Sequence, residues 1–392
     1  MTERTVALRA RAASPFVLLA VSFVALAALF AVLRVPMPDA LVYRAEGSAV
    51  IQGRDLYGFT ITQGRLPATY PPFAAVLFVP TALLSVPALK AVFLAGNALL
   101  LAWLVHLSAR LAGRPAGLPL LCAATALAVW LEPVFQTFVF GQINLAITCL
   151  VLWDLTRPPG ARGKGAAIGV ATGIKLTPGL FVVYLLLRGR GREAATATAA
   201  FAGTVAVGAL VLPGASVDYW TRRLFETNRV GKPWIIPNQS LQGLIARALR
   251  DPSPGLAWIL PALAVAAVGL WLARRAPHER WGVLLTGFTA LLVSPISWSH
   301  HWVWCVPLIA VLLAEGRRTW AGVAAVVFTA RTLWLVRHGE MDLRLPWWQQ
   351  PLASPYALLG LALLASALLS RPDVRAVDDP RLSSPPAARP RR

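Results

Sequence analysis

Charge is scarce in this chain: 14% of its 392 residues are Asp, Glu, Lys or Arg, against about 25% in soluble domains. With 57% hydrophobic residues and a mean hydropathy of +0.62, this excludes a disordered chain and argues against a soluble globular enzyme. Cysteine is rare too. Cys122, Cys149 and Cys305 are scattered through apolar stretches with no C-x-x-C pair, so neither a zinc site nor a disulfide framework is supported. Internal repeats of the kind common in transporters are missing. So is a glycine-rich nucleotide-binding loop. Acidic residues number 17 against 37 basic ones, of which only four are Lys. The resulting surplus sits in short loops between apolar runs, so it reads as membrane topology and not as a nucleic-acid surface.

What is present is a series of long apolar runs. Spanning helices need roughly 20 apolar residues, and the candidates are Phe16–Leu33, then 87–109, 117–133, 140–156, 194–212, 256–273, 280–296, 302–314, 319–336 and 353–370. The segment 165–187 has basic flanks at both ends and is interrupted by Lys175 and Pro178. It is predicted to be two short helices, 165–173 and 176–187, that enter and leave on one side and line a polar cavity. The stretch 72–84 is short for a span and is placed at the outer surface. The prediction is an all-α polytopic membrane protein with about 12 spanning or partly spanning helices. Residues 1–370 form one integral-membrane domain, with outer loops at 34–86 and 213–255. Residues 371–392 form a disordered basic tail. Both termini and the basic loops at 110–116, 157–164, 188–193, 274–279 and 315–318 are expected to be cytoplasmic. Multi-pass insertion in the plasma membrane follows.

The informative residues in such a chain are polar groups at membrane depth, and most lie toward the outer side. Asp39 follows the first apolar run by six residues. It reads as an N-cap for a helix over 40–51, as a catalytic base, or as both. Glu46 and Asp55 are its acidic neighbours in that loop, and Tyr43 shares it. Gln142 and Asn144 stand at the outer mouth of the 140–156 helix, as interhelical bridges or as ligands for a sugar. Asn238 and Gln239 offer amide donors and acceptors for sugar hydroxyls. The sharpest cluster is Ser294-Pro-Ile-Ser-Trp-Ser-His-His-Trp-Val-Trp304. Its His300 and His301 belong either to an aromatic belt or to a site that binds phosphate, with the indoles stacking on a sugar or prenyl chain. Adjacent His side chains diverge on a helix, so one metal held by both is not expected. Arg331, assigned to the 319–336 helix, either snorkels to the interface or binds phosphate.

Several stretches together resemble glycosyltransferase family 87, the polyprenyl-phosphomannose-dependent α-(1→2)-mannosyltransferases with the C-type integral-membrane architecture. They are Asp39-Ala-Leu-Val-Tyr43 through Gly53-Arg-Asp-Leu-Tyr57, Tyr70-Pro-Pro72, Gly141-Gln-Ile-Asn144, Ile174-Lys-Leu-Thr-Pro178, Asn238-Gln-Ser-Leu241 and Ser294-Pro-Ile-Ser-Trp-Ser-His-His301. The resemblance implies an active site at the outer membrane face, an acidic base in the first outer loop at Asp39, a polyprenyl-phosphate sugar donor, and a glycolipid or envelope-glycan acceptor within reach of the membrane lipids. It implies no cofactor, and no metal is expected, since no outer loop carries Asp-x-Asp. The residues fit this chemistry on their own terms. Inversion by direct displacement needs one general base and donors or cations for the departing phosphate. Asp39 meets the first need; Lys175, His300, His301 and Arg331 are candidates for the second. A lipid-linked sugar flippase is the alternative reading, disfavoured by the one-sided placement of the polar motifs and the lack of pseudo-symmetry.

Overall fold

A computed structural model describes residues 14–62, 64–336 and 340–369. The basic N-terminal residues and the tail beyond 370 lie outside them. The protein is helical almost throughout. Its one sheet is a hairpin of Thr60–Ile61 against Leu66–Pro67. Among the described residues four helices are long and apolar enough to cross a membrane alone: Pro15–Val32, Val86–Leu111, Gly191–Val211 and Leu256–Arg275. Two bent pairs raise this to six, with shorter apolar helices besides. The figure of about 12 therefore holds only if partly spanning helices are counted. Large apolar side chains such as Leu99, Leu210 and Leu263 point outward at 75%, 83% and 62% exposure. Continuous exposure of that kind marks a lipid-facing surface.

The basic loops gather at one end of the bundle. Arg110 donates to the Thr156 carbonyl, Arg188 to those of Arg274 and Ala276, and Arg190 pairs with Glu193 and Glu279. Arg280 and Arg317 both pair with Glu315. The polar motifs gather at the other end.

The segment 165–187 folds as expected. Helix Ala166–Ile174 stops at Lys175, whose backbone is extended, and a short 3-10 turn over Thr177–Gly179 leads into helix Leu180–Leu187. Pro178 has no N–H to continue a ladder. Lys164, at the start, lies within electrostatic reach of Arg190 and Glu193 beyond the end, so the pair doubles back. Its start is held by Asp154, which accepts from the Gly165 and Ile168 amides. Gly165 has φ +103°, and a Cβ there would lie 2.1 Å from the Glu193 carbonyl oxygen. Only glycine permits so close a return of the chain.

Three expectations are corrected. The span 117–133 and loop 134–139 are two helices, Leu118–Ala128 and Glu132–Phe140, bent by 74°; Pro133 sits in the first turn of the second, where proline is tolerated. The 319–336 helix ends at Thr329, because Arg331 takes a left-handed φ of 53° that breaks the ladder. The segment 302–314 opens as a 3-10 turn, Ser299–Trp304, before helix Cys305–Ala314.

Candidate active site

The loop after the first helix begins with helix Pro38–Gln52, whose N-cap is Met37 and which has no side-chain cap. Asp39 is therefore not the cap. It lies inside the first turn, where the helix dipole favours its negative charge. Its proximity to Gln142 rests on Gly141. That glycine ends helix Glu132–Phe140 at φ +67°, and a Cβ on it would fall 2.7 Å from the Ala40 Cβ. The missing side chain lets the Asp39 turn pack directly on the Gly141-Gln142 corner.

From there a chain of side chains crosses the site. The Asp39 carboxyl interacts with the Gln142 side chain and the Lys175 charge. Tyr43 and Tyr70 both donate to Gln142 Oε1, at 3.0 and 3.3 Å, and their hydroxyls are 3.0 Å apart. Asn144 Nδ2 donates to the same oxygen at 3.4 Å and to the His300 carbonyl at 3.1 Å. Lys175 Nζ donates to Asn144 Oδ1 at 3.1 Å and lies 2.8 Å from His301 Nε2. Asp39, Tyr43, Gln142, Asn144, Lys175 and His301 thus form one connected group, drawn from four separate segments.

Three of its members, Asn144, Lys175 and His301, border a small cleft. Asn144, Lys175, Ser297 and His301 are at its polar end. Ile147, Val151, Phe181, Leu291 and Trp304 line the remainder. From Asn144 to Val151 the wall runs two helical turns, about 10 Å. A polar mouth leading to an apolar slot suits a charged headgroup with a hydrocarbon tail.

Two carboxyls share the outer helix, and their settings separate their roles. Asp39 is partly open by area yet surrounded by protein; burial pushes it up to about 6, against the pull of the Gln142 hydrogen bond and the Lys175 charge. It is mostly ionised at neutral pH. Glu46 is 1% exposed, and burial pushes it up to about 8 against the pull of the Thr69 backbone. It is mostly protonated at neutral pH and unfit to accept a proton. Asp55 caps its own turn, accepting from the Tyr57 amide at 2.9 Å.

Other sequence candidates stand elsewhere. Asn238 and Gln239 are fully buried. The Asn238 amide donates to the Pro233 and Pro295 carbonyls and accepts from the Ser240 and Ser297 amides. Gln239 donates to Ile236 and Ala353 and accepts from Tyr356. Every amide group has a backbone partner, so these residues lock the second outer loop onto the His turn and present nothing to a sugar. His300 contributes its carbonyl to Asn144; its ring lies against Phe140, 5.1 Å between centroids. Arg331 stacks its guanidinium over Phe135 at 4.2 Å and acts electrostatically on Glu132, outside the Asp39 group.

Sequence reasoning missed three participants. Tyr70 was visible only as part of Tyr-Pro-Pro. Arg247, fully buried, donates to the carbonyls of Trp234, Ile235 and Asn238 and to Ser354. Glu132 is fully buried as well. A carboxylate inside an apolar stretch was the available signal.

The model of glycosyltransferase family 87 matches residues 68–295, more than half of the chain. A polyprenol-phosphate-mannose-dependent alpha-(1-2)-phosphatidylinositol mannoside mannosyltransferase of Mycobacterium tuberculosis is 35% identical over 85% of this chain and 84% of its own length. One of the same description from Mycolicibacterium smegmatis is 33% identical over 87% of each. A Mycobacterium tuberculosis enzyme described as acting on phosphatidylinositol pentamannoside is 37% identical over 70% of this chain and 66% of its own. Among solved structures, ArnT of Cupriavidus metallidurans bound to undecaprenyl phosphate aligns with a TM-score of 0.43 and 18% identity, over 91% of this chain and 77% of its own. The chain is a multi-pass membrane glycosyltransferase, and it belongs to glycosyltransferase family 87.

Proposed function

We propose that the protein transfers a mannosyl residue from a polyprenyl-phosphate donor to a phosphatidylinositol mannoside or a related envelope glycolipid, with inversion, at the outer face of the plasma membrane. The observation that carries this reading is a lysine–histidine pair at the polar end of a largely apolar cleft, with the Asp39 carboxylate acting on the same lysine from beside it. The relatives' donor and acceptor supply the substrate class. The outer placement is supported by the basic loops, which gather at the opposite end and favour the cytoplasm.

In the proposed reaction the acceptor hydroxyl loses its proton to Asp39 as its oxygen attacks the anomeric carbon. The bond from that carbon to the phosphate oxygen breaks, and polyprenyl phosphate departs. Lys175 and His301 meet the growing charge on the phosphate. Groups already fixed in a low-dielectric site act more strongly there than in water. Gln142 and Asn144 join the two halves and orient both. The prenyl chain follows the slot past Ile147 and Val151.

The test is to supply purified protein in nanodiscs with radiolabelled polyprenyl-phosphomannose and phosphatidylinositol mannosides. Label in an α-linked, longer glycolipid is expected. Label that crosses a vesicle bilayer while remaining on the polyprenyl carrier would instead establish the flippase reading.

A further inference from the structure

We infer that Glu132 is a positioning residue, a buried clamp that sets the His301–Lys175 pair by holding the Ser299–Trp304 turn from behind. The inference rests on the proposed role of that pair as the phosphate-binding part of the site.

Glu132 has no exposed surface, and its oxygens are claimed from three other elements. Trp334 Nε1 donates to Oε1 at 2.8 Å, and the Tyr356 hydroxyl donates to Oε2 at 2.7 Å. The Ser299 side chain acts on the same carboxylate, and Thr137, one turn on in the helix that Glu132 starts, donates to the His300 carbonyl at 3.4 Å. Ser299 opens the 3-10 turn that carries His300 and His301. Glu132 also starts the helix that ends at Gly141, the corner against which Asp39 packs. One carboxylate therefore ties the helix behind the base to the turn bearing the phosphate-side histidine.

The arrangement is more than is needed to close the core. A buried apolar residue would fill the same space without the burden of desolvating a carboxylate. What it would lose is directionality: of the three contacts, the one from Ser299 reaches the turn itself, and a turn that rotates moves His301 away from Lys175. Misplacement by about 1 Å lowers rates by roughly 10²-fold.

Ser299→Ala removes only the link from carboxylate to turn, and Glu132→Gln replaces one acceptor oxygen by a donor. For both, kcat and donor KM are measured together with acceptor KM and the thermal midpoint. The expected result is a loss of about 10-fold for Ser299→Ala and up to about 10²-fold for Glu132→Gln in kcat/KM for the donor. Acceptor KM should stay within about twofold, and the Ser299→Ala midpoint should remain near wild type. Lys175→Met, run beside them, tests the underlying reading. If Lys175→Met leaves donor use intact, that reading falls. If Lys175→Met is defective while Ser299→Ala and Glu132→Gln keep wild-type donor constants, Glu132 is not a clamp. Equal losses in donor and acceptor constants, with a lowered midpoint in both variants, would make it a general core group and overturn the inference as well.

Discussion

The two sides of the His turn hold similar amides in opposite states. On one side Gln142 and Asn144 bond to other side chains, among them Tyr43, Tyr70 and Lys175, and Asn144 borders the cleft. On the other, Asn238 and Gln239 are fully buried with backbone partners for every amide group. Both pairs read in sequence as sugar-binding amides. The difference is saturation. Backbone partners cannot leave without unfolding a loop, whereas side-chain partners at a cavity can reorganise around a ligand. The first side is built to exchange partners, and the second to keep them.

The sharpest test of the open side is its proposed base, Asp39. Asp39→Asn keeps the shape and removes the lone pair that accepts the proton, so transfer should fall by about 10²–10⁴ with folding unchanged. With Asp39 raised to about 6 by burial, the wild-type rate should climb as pH rises through that value and then level off. At pH 5 the ionised fraction is roughly a tenth. The limb should be absent from whatever residual rate Asp39→Asn retains. A mutant with near-normal transfer would end the assignment, and Asp55 would be examined next, since Glu46 is mostly protonated at neutral pH.

Lys175→Met follows in size. Removing one preorganised donor to a developing oxyanion typically lowers kcat by about 10²–10³. The loss should appear in donor kinetics and leave the acceptor constants alone. An effect confined to the acceptor would place the phosphate elsewhere.

The amide contrast itself can be broken by one paired experiment. Asn238→Ala strands the Ser240 and Ser297 amides and the Pro233 carbonyl, at about 1–3 kcal/mol for each group left buried and unpaired; the Pro295 carbonyl keeps its Ser240 hydroxyl partner. It should lower the thermal midpoint sharply, with activity lost in proportion to unfolding. Asn144→Ala should do the reverse, with a small midpoint change and a large loss of transfer. If both variants behaved alike, saturation would not distinguish scaffold from site.

Much of this was legible in the chain. Basic flanks at both ends, with Lys175 and Pro178 between, specify a helical pair that doubles back, because positive charge resists the outer side and proline halts the ladder. Asp39, Gln142 and His301 stood out as polar groups in an apolar setting. Saturation was not legible, since two of the four backbone partners of Asn238, at Pro295 and Ser297, lie more than fifty positions away. The helix Glu132–Phe140 was hidden by Pro133 and Gly141, which read equally well as a loop.

Arg331 carries the smallest expected effect and marks where the open side ends. A phosphate role for it requires the guanidinium to reach the cleft, but it lies over Phe135 with Glu132 as its nearest influence. Its left-handed φ of 53° fixes that direction, at a strain of order 1 kcal/mol for a residue with a Cβ. Arg331→Ala keeps the strain and loses the cation–π contact, roughly 0.5–1 kcal/mol, so a slightly lower midpoint with donor KM within about twofold is expected. Arg331→Gly loses the same contact but relieves the backbone, and the two changes should nearly cancel. A clear rise in donor KM in both variants, with midpoints unchanged, would bring Arg331 into the phosphate site and move the boundary of the open side past Phe135.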